Sequence, residues 1–329
     1  LTNKLSPATL ERGNIAFYQL RQYRGSPSDG FVSHKLWPGL DPKPWRRQAR
    51  ISVYADGVEV ATIKALSWLM MKLTRLQFSG IAHWMIHQVV TFYEVDMTEA
   101  EEPDIYKYAH FNEFFTRALA ADARPLAAQG VISPVDGEIS QLGPIESQRL
   151  IQAKGHHYTL TNLFGGLKHV VKLFENGRFC TIYLSPRDYH RIHTPLTGKP
   201  VDMIYVPGRL FSVNQSTTRT VPGLFTRNER VISIFRTAHG PMAVIMVGAI
   251  FVGSIETVWN GVITPSSSRK IQHWQTPDNT RNFKRGEEIG RFNMGSTVIL
   301  VFGDKQIEWL DTLAPGAKVK MGEQIGTLL

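Results

Sequence analysis

From about residue 130 onward, apolar residues come in short runs broken by Gly, Pro and Asn, a rhythm that predicts a mainly β C-terminal half. VISPVDGEISQL, RFCTIYLS, VDMIYV, RVISIF, PMAVIMVGAIFVGSIETV and STVILVF each read as strands. VGAIFVG is apolar throughout, the pattern of a strand buried on both faces. Before residue 111 the rhythm is different. Within residues 63–93, Leu66, Leu69, Met70, Leu73 and Leu76 follow the i, i+3, i+4, i+7 spacing of one helical face. Gly80 is expected to separate two helices there. Trp68, Phe78 and Trp84 are of the aromatic types favoured at a membrane–water boundary. An interfacial helical hairpin and a pair of ordinary amphipathic helices packed on a core both satisfy this pattern. Residues 111–120 read as a short helix, with Asn112 as its cap before Glu113.

Composition narrows the partners. The chain has 329 residues, enough for a large core and one or two domains. It carries 37 Lys and Arg against 28 Asp and Glu, formally +9, which favours an anionic partner. No compact run of Lys and Arg stands out, so an acidic membrane surface is preferred to nucleic acid. The single cysteine, Cys180, excludes an internal disulfide and a cysteine-rich metal site, and is expected to be a buried strand residue. No window reaches eighteen uninterrupted apolar residues, so no transmembrane helix is expected. No secretory signal pattern is read at residue 1. Residues 1–50 are polar and rich in Pro, Gly and Arg, and are expected to be loop-like or poorly ordered.

Three segments carry candidate chemistry. YLSPRDYHRIHTP places His190 and His193 three residues apart, a spacing that puts two imidazoles on one face if the segment is a helical turn. SPVDG supplies Asp136 in a turn, and GRFNMGSTVILVF sets the small Gly295–Ser296 step between two apolar segments. Asp, His and Ser are the parts that activate a weak hydroxyl nucleophile. His193 would take the proton of Ser296, Asp136 would fix the imidazole tautomer, and Ser296 would attack the carbonyl of Gly295. His190 is the candidate for handling a later proton or placing a carboxylate. Arg187 and Asp188 are expected to shape the loop by pairing or capping. Lys154 and Arg209 are candidates for meeting a phosphate. Two rival readings stand beside this one. His190, His193 and Asp136 suit a zinc hydrolase, and a non-enzymatic module could use the same fold only to bind. SPVDGEIS (133–140) and PGAKVKMGEQIG (315–326) are the kinds of segment seen in barrel-sandwich hybrid domains, but no lysine stands at a carrier-hairpin tip.

FNEFFTRAL (111–119), SPVDGEISQLG (133–143), QAKGHHYTL (152–160), YLSPRDYHRIHTP (183–195), IYVPGRLFSVN (204–214), LFTRNERV (224–231), VGSIETVWNGVITP (253–265) and GRFNMGSTVILVF (290–302) follow one another in the order of a known family. Together they resemble the bacterial-type, pyruvoyl-dependent phosphatidylserine decarboxylase precursors over roughly residues 63–329. That family more often has Leu where Met294 stands. Residues 1–62 match nothing in it and are expected to be a divergent extension or to reflect a misassigned start.

The resemblance implies an α+β fold, with a mainly β, barrel-sandwich-hybrid-like catalytic core and N-terminal amphipathic helices. It implies a membrane-associating region over 63–110 and a catalytic domain over 111–329. It places the catalytic Asp, His and Ser on Asp136, His193 and Ser296. It also implies self-cleavage between Gly295 and Ser296, giving a β chain of 1–295 and an α chain of 296–329, with Ser296 converted to a pyruvoyl group. That covalent cofactor would condense with phosphatidylserine as a Schiff base and act as the electron sink for decarboxylation to phosphatidylethanolamine. A peripheral place on the cytoplasmic face of the cell membrane is expected, with a homodimer allowed and no resident metal or nucleic acid.

Overall fold

A computed structural model describes residues 69–329, except 71, 154, 250–253, 265, 267, 277–280 and 294–296. The expectations for residues 1–62 and for Leu66, Trp68 and Lys154 lie outside the described residues, as do those for Met294, Gly295 and Ser296 themselves. The described chain is mixed α and β, with most of its regular structure in strands. The helices are α1 (Ser79–Tyr93), α2 (Phe111–Phe115), α3 (Leu160–Leu163), α4 (Lys168–Lys172), α5 (Gln215–Thr220) and α6 (Leu224–Arg227). The first strands are β1 (Val131–Ile132), β2 (Gly137–Pro144), β3 (Arg149–Ala153), β4 (His156–Thr159), β5 (Arg178–Tyr183), β6 (Arg191–His193), β7 (Gly198–Val206), β8 (Arg230–Thr237) and β9 (Gly240–Val247). They are followed by β10 (Ile255–Thr257), β11 (Gly261–Val262), β12 (Gln272–Gln275), β13 (Glu288–Phe292), β14 (Thr297–Phe302), β15 (Ile307–Trp309), β16 (Lys318–Val319) and β17 (Gln324–Leu328).

The largest sheet has eight strands in the order β12-β7-β8-β9-β14-β5-β2-β16, and every pairing in it is antiparallel. β14 lies at its centre, and all six of its residues are buried. Both faces are therefore covered, which is why this strand reads as an unbroken apolar run instead of an alternation. Of the apolar run VGAIFVG, Val247 is in a strand and Gly248 and Ala249 are not, and the expectation for 250–253 lies outside the described residues. β9 ends at Val247, and the next described strand begins at Ile255. The two segments with an internal echo meet one another: β1 pairs with β17 and β2 with β16.

The helical part departs from expectation in two places. Leu69, Met70, Lys72 and Leu73 are helical, but the break before the next helix comes at residues 76–78. Gly80 sits inside the first turn of α1, which starts at Ser79. A glycine this near a helix start costs little, because the first backbone N–H groups have no partner within the helix in any case. The cap of α2 is His110, whose Nδ1 accepts the Glu113 N–H at 3.0 Å. Asn112 instead lies within the helix, buried. Ile86 of α1 forms a small second core with Val95, Tyr108, Phe111, Phe114 and Phe115. Phe78, Ile81, Trp84 and Phe92 of the same region point outward and are exposed. No helix among the described residues is long and apolar enough to cross a membrane.

Candidate active site

One end of the large sheet holds the Asp136 turn and Thr297, and β6, which carries His193, belongs to a four-stranded sheet of order β11-β10-β13-β6 joined to it there. Tyr183, the last residue of β5, pairs with Glu138 of β2 on one side and with Thr297 of β14 on the other. Asp136 stands two residues before Glu138, in the turn that joins β1 to β2. Gly137 lets that turn sit tightly on β5: an added Cβ there would come 2.5 Å from the Tyr183 carbonyl oxygen. The Ser133 hydroxyl donates to the Val135 carbonyl at 2.7 Å inside the turn. The backbone N–H of His193 donates to the Pro134 carbonyl at 2.9 Å. The Asp136 turn and the histidine strand are thus joined through the backbone.

The Asp136 carboxylate is fully occupied. Arg124 donates to it from Nε to Oδ1 at 3.0 Å and from Nη2 to Oδ2 at 2.5 Å, and the Met321 N–H donates to Oδ1 at 2.8 Å. Arg124 also donates to Glu99 at 2.6 Å. That hydrogen bond, chiefly, holds the Glu99 carboxyl down to about 2. A buried carboxylate beside a buried guanidinium gains enough to remain charged only through such a fork of hydrogen bonds.

The histidines depart from the expected geometry. The HxxH segment is extended, with β6 covering Arg191–His193, so it is not a helical turn. Side chains alternate along a strand, and residues three apart therefore face opposite ways. His193 Nδ1 lies 2.7 Å from the Gly286 carbonyl oxygen and Nε2 lies 2.9 Å from the Tyr189 hydroxyl. A carbonyl only accepts, so Nδ1 carries the proton and Nε2 is left as the basic nitrogen. The tautomer is set by Gly286 and not by Asp136, whose oxygens are turned to Arg124 and Met321. Burial is the main reason that His193 is held below its ordinary range.

His190 is completely buried, with its ring 4.1 Å from that of Phe115. Its Nδ1 donates to the Asp188 carbonyl at 2.7 Å, and its Nε2 has no hydrogen-bond partner. Burial, with the charge of Arg117 adding to it, pushes its pKa down to about 3. Asp188 caps its own turn, accepting from the Ser185 N–H at 2.6 Å and hydroxyl at 2.8 Å, as its loop-shaping role requires.

The segment 294–296 is flanked by residues that are firmly held. The Asn293 N–H donates to the Ser254 carbonyl at 2.9 Å, its side-chain amide donates to the Ser254 hydroxyl, and its Oδ1 accepts from Asn112 at 3.0 Å. On the far side, Thr297 is locked between Tyr183 and Val247.

A cleft of about 260 Å³ opens beside Asp136, and its lining includes Arg117, Arg124, Tyr183, Asp188, Tyr189 and Lys318. Arg117, Arg124 and Tyr189 were not singled out from the sequence. Arg117 lies within the FNEFFTRAL block, but no local pattern separates a buried arginine from the exposed majority. The Arg209 guanidinium sits 5.5 Å from the Phe211 ring centre, and Arg209 is not among the residues lining this cleft. Cys180 is buried in β5, and burial pushes its thiol pKa well up, which makes it inert. The zinc reading finds no support. Asp136 is held by Arg124 and the Met321 N–H, and the HxxH segment is extended, so the three do not converge as a helical turn would have placed them. Among the described residues no group of three His, Cys, Asp or Glu is placed to hold a metal ion.

Comparison with known proteins identifies the family. The family model described as phosphatidylserine decarboxylase matches residues 111–327. A phosphatidylserine decarboxylase proenzyme of Pseudomonas fluorescens is 51% identical over 252 residues, covering 75% of this chain and 86% of the relative. The proenzyme of the same name from Bordetella avium is 53% identical over 243 residues, 73% and 83% of the two chains. That of Dechloromonas aromatica is 48% identical over 264 residues, 80% and 94% of the two. With a family match over most of its length and relatives at this level of identity, the chain belongs to the phosphatidylserine decarboxylase family.

Proposed function

We propose that this protein converts phosphatidylserine to phosphatidylethanolamine and carbon dioxide, after cutting its own chain between Gly295 and Ser296. The observation that carries the reading is the sheet register. It brings the Asp136 turn and Thr297 to one end of the eight-stranded sheet, and the backbone bond from the His193 N–H to the Pro134 carbonyl ties to it β6 of a four-stranded sheet, whose β13 leads to Asn293. Ser296 is the nucleophile. His193, protonated on Nδ1 through Gly286, offers Nε2 to take the Ser296 hydroxyl proton. The Asp136 charge stabilises the imidazolium by Coulomb attraction, not by a direct hydrogen bond. The Oγ–carbonyl bond forms as the Gly295–Ser296 amide C–N bond breaks, and the proton passes from His193 to the departing amine. Elimination from that ester, with the Ser296 Cα proton lost to a base and the Cβ–O bond broken, leaves the Gly295 carboxylate on the β chain and a dehydroalanine end on the α chain, whose imine tautomer takes up one water and releases ammonia to give the pyruvoyl end. The anchored flanks make this attack intramolecular, which removes much of its entropic cost.

The residues present fit such a group. It would directly precede Thr297, the first residue of the central strand β14, whose partner Tyr183 lines a cleft that holds charged and hydroxyl side chains. The group supplies an electrophilic carbonyl that binds the substrate amine and draws electrons as carbon dioxide leaves. This chain's part is then to bind the headgroup, exclude water and deliver a proton. His190 is assigned to the proton or to the carboxylate, because its Nε2 is an acceptor with nothing bound to it.

The remaining assignments belong to the same proposal. The catalytic domain is 111–329, with a barrel-sandwich-hybrid-like core built on the β1–β17 and β2–β16 pairings. Residues 63–110 bind the cytoplasmic face of an anionic bilayer through the exposed Phe78, Ile81, Trp84 and Phe92. Residues 1–62 are a divergent extension, and a homodimer fits the reading.

Intact mass under denaturing conditions tests the cleavage. The α chain has 34 residues (329 − 296 + 1) and carries a blocked N-terminus. Ser296→Ala should leave one full-length chain without decarboxylase activity. A wild-type protein that stays whole yet turns over phosphatidylserine would overturn the reading.

A further inference from the structure

Arg117 is a buried cation with no anion. It is 5% exposed, in the turn that follows α2. Among the described residues its only side-chain hydrogen bond runs from Nη2 to the uncharged Arg187 carbonyl at 3.1 Å, while Nε and Nη1 are buried without a partner there. No carboxylate among the described residues forms an ion pair with it. Three other cations around the cleft are treated differently, and a fourth, Lys318, is exposed to water. Arg124 is neutralised by Asp136 and Glu99, Lys320 by Glu99 at 2.7 Å, and Arg187 lies 3.9 Å from Asp188. Burial depresses the Arg117 pKa, with the more distant Tyr108, Asp136 and Asp188 acting against it, yet an arginine keeps its charge.

A guanidinium held away from water with two idle N–H groups costs several kcal/mol unless something completes it. Folding alone does not account for keeping it, since an apolar side chain of similar length would pack against Phe114 without that cost. The Phe114 ring, 5.3 Å from the guanidinium carbon, offers only a cation–π contact. Arg117 also lines the cleft next to Asp136, Tyr183 and Tyr189. From this we infer that Arg117 is the headgroup-binding residue of the site, donating one of its idle N–H groups, on Nε or Nη1, to an oxyanion of the substrate. The inference rests on the decarboxylase reading above. Phosphatidylserine offers two such groups, its phosphodiester and its carboxylate, and a guanidinium N–H donates to either one.

The test uses the full-length protein carrying Arg117→Met, with Arg117→Lys beside it. Self-processing is read by intact mass, stability by thermal unfolding, and turnover with phosphatidylserine in detergent micelles. The Met variant should process fully and melt at or above the wild-type temperature, because it removes an unpaired buried charge. Its KM should rise roughly tenfold or more, the loss expected for a charge-assisted hydrogen bond, with kcat changed much less. The Lys variant should fall between the two. Inhibition by glycerol 3-phosphate and by D-glycerate separates the two sources. If the variant loses only the first, Arg117 holds the phosphodiester; if it loses only the second, Arg117 holds the carboxylate. An unchanged KM, or a melting temperature lowered by more than a few degrees with normal KM in the Lys variant, would overturn the inference. A wild-type protein without turnover would instead remove the decarboxylase reading itself, so the two failures are distinguishable.

Discussion

Arg124 grips Asp136 with two hydrogen bonds, at 3.0 and 2.5 Å, and thereby turns the carboxylate away from His193. The ion pair is buried on both sides, at 5% and 11% side-chain exposure. Removing one partner leaves the other as an uncompensated buried charge. Arg124→Gln should therefore destabilise the fold by about 3–5 kcal/mol. Denaturant unfolding of the uncleavable Ser296→Ala background would measure it free of processing. A loss below about 1 kcal/mol would mean that water reaches Asp136.

Asp136→Asn keeps the shape and the acceptor for the Met321 N–H but removes the negative charge. If the charge stabilises the His193 imidazolium, processing should slow by roughly a hundredfold or more. The rate at which the 34-residue α chain (329 − 296 + 1) appears after synthesis reports this directly. Normal processing in this variant would take Asp136 out of the reaction.

Tyr189 now occupies the nitrogen that the proposed chemistry needs, its hydroxyl lying 2.9 Å from His193 Nε2. The hydroxyl must release Nε2 before Ser296 can use it. Tyr189→Phe is expected to process at least as fast as the wild type. A slower variant would show that Tyr189 orients the imidazole instead of masking it.

His190 gives the protein an acid-sensitive joint. Its folded pKa, about 3, lies below its ordinary value of 6.5, so the unfolded chain binds the proton more tightly. Its contribution to stability is complete above pH 6.5 and is lost progressively as the pH falls toward 3. His190→Phe, which keeps a ring against Phe115, should flatten that part of the stability profile while abolishing any step that needs the Nε2 lone pair. An unchanged profile from pH 7 to 4 would place the acid sensitivity elsewhere.

The outward face of α1 predicts lipid binding. Phe78, Trp84 and Phe92 are 69%, 64% and 73% exposed, beyond the needs of the small core beneath them. Burying such a side chain is worth about 1.5–3 kcal/mol. Each change to Ser should therefore weaken binding to anionic vesicles by roughly tenfold or more in cosedimentation, with thermal stability nearly unchanged. Unaltered binding would remove this face from the interface.

The sequence by itself determined the longer apolar strands, β2, β5, β7, β8, β9 and β14, because apolar runs of strand length have few other ways to be buried. It also determined the family, through blocks such as SPVDGEISQLG and GRFNMGSTVILVF, and the burial of Cys180. It pointed to Asp136 and His193, which the backbone bond from His193 N–H to the Pro134 carbonyl does bring together. Local spacing could not say that the HxxH segment is extended, since a three-residue interval is read on one face only if a helix is assumed. Nor could it reveal that Gly286 sets the His193 tautomer, 93 residues away. Only the tertiary structure decided that Arg124 belongs to Asp136 and that Arg117 belongs to no carboxylate. Both depend on which side chains are shut away from water together, and desolvation is a property of the packed chain, not of any window along it.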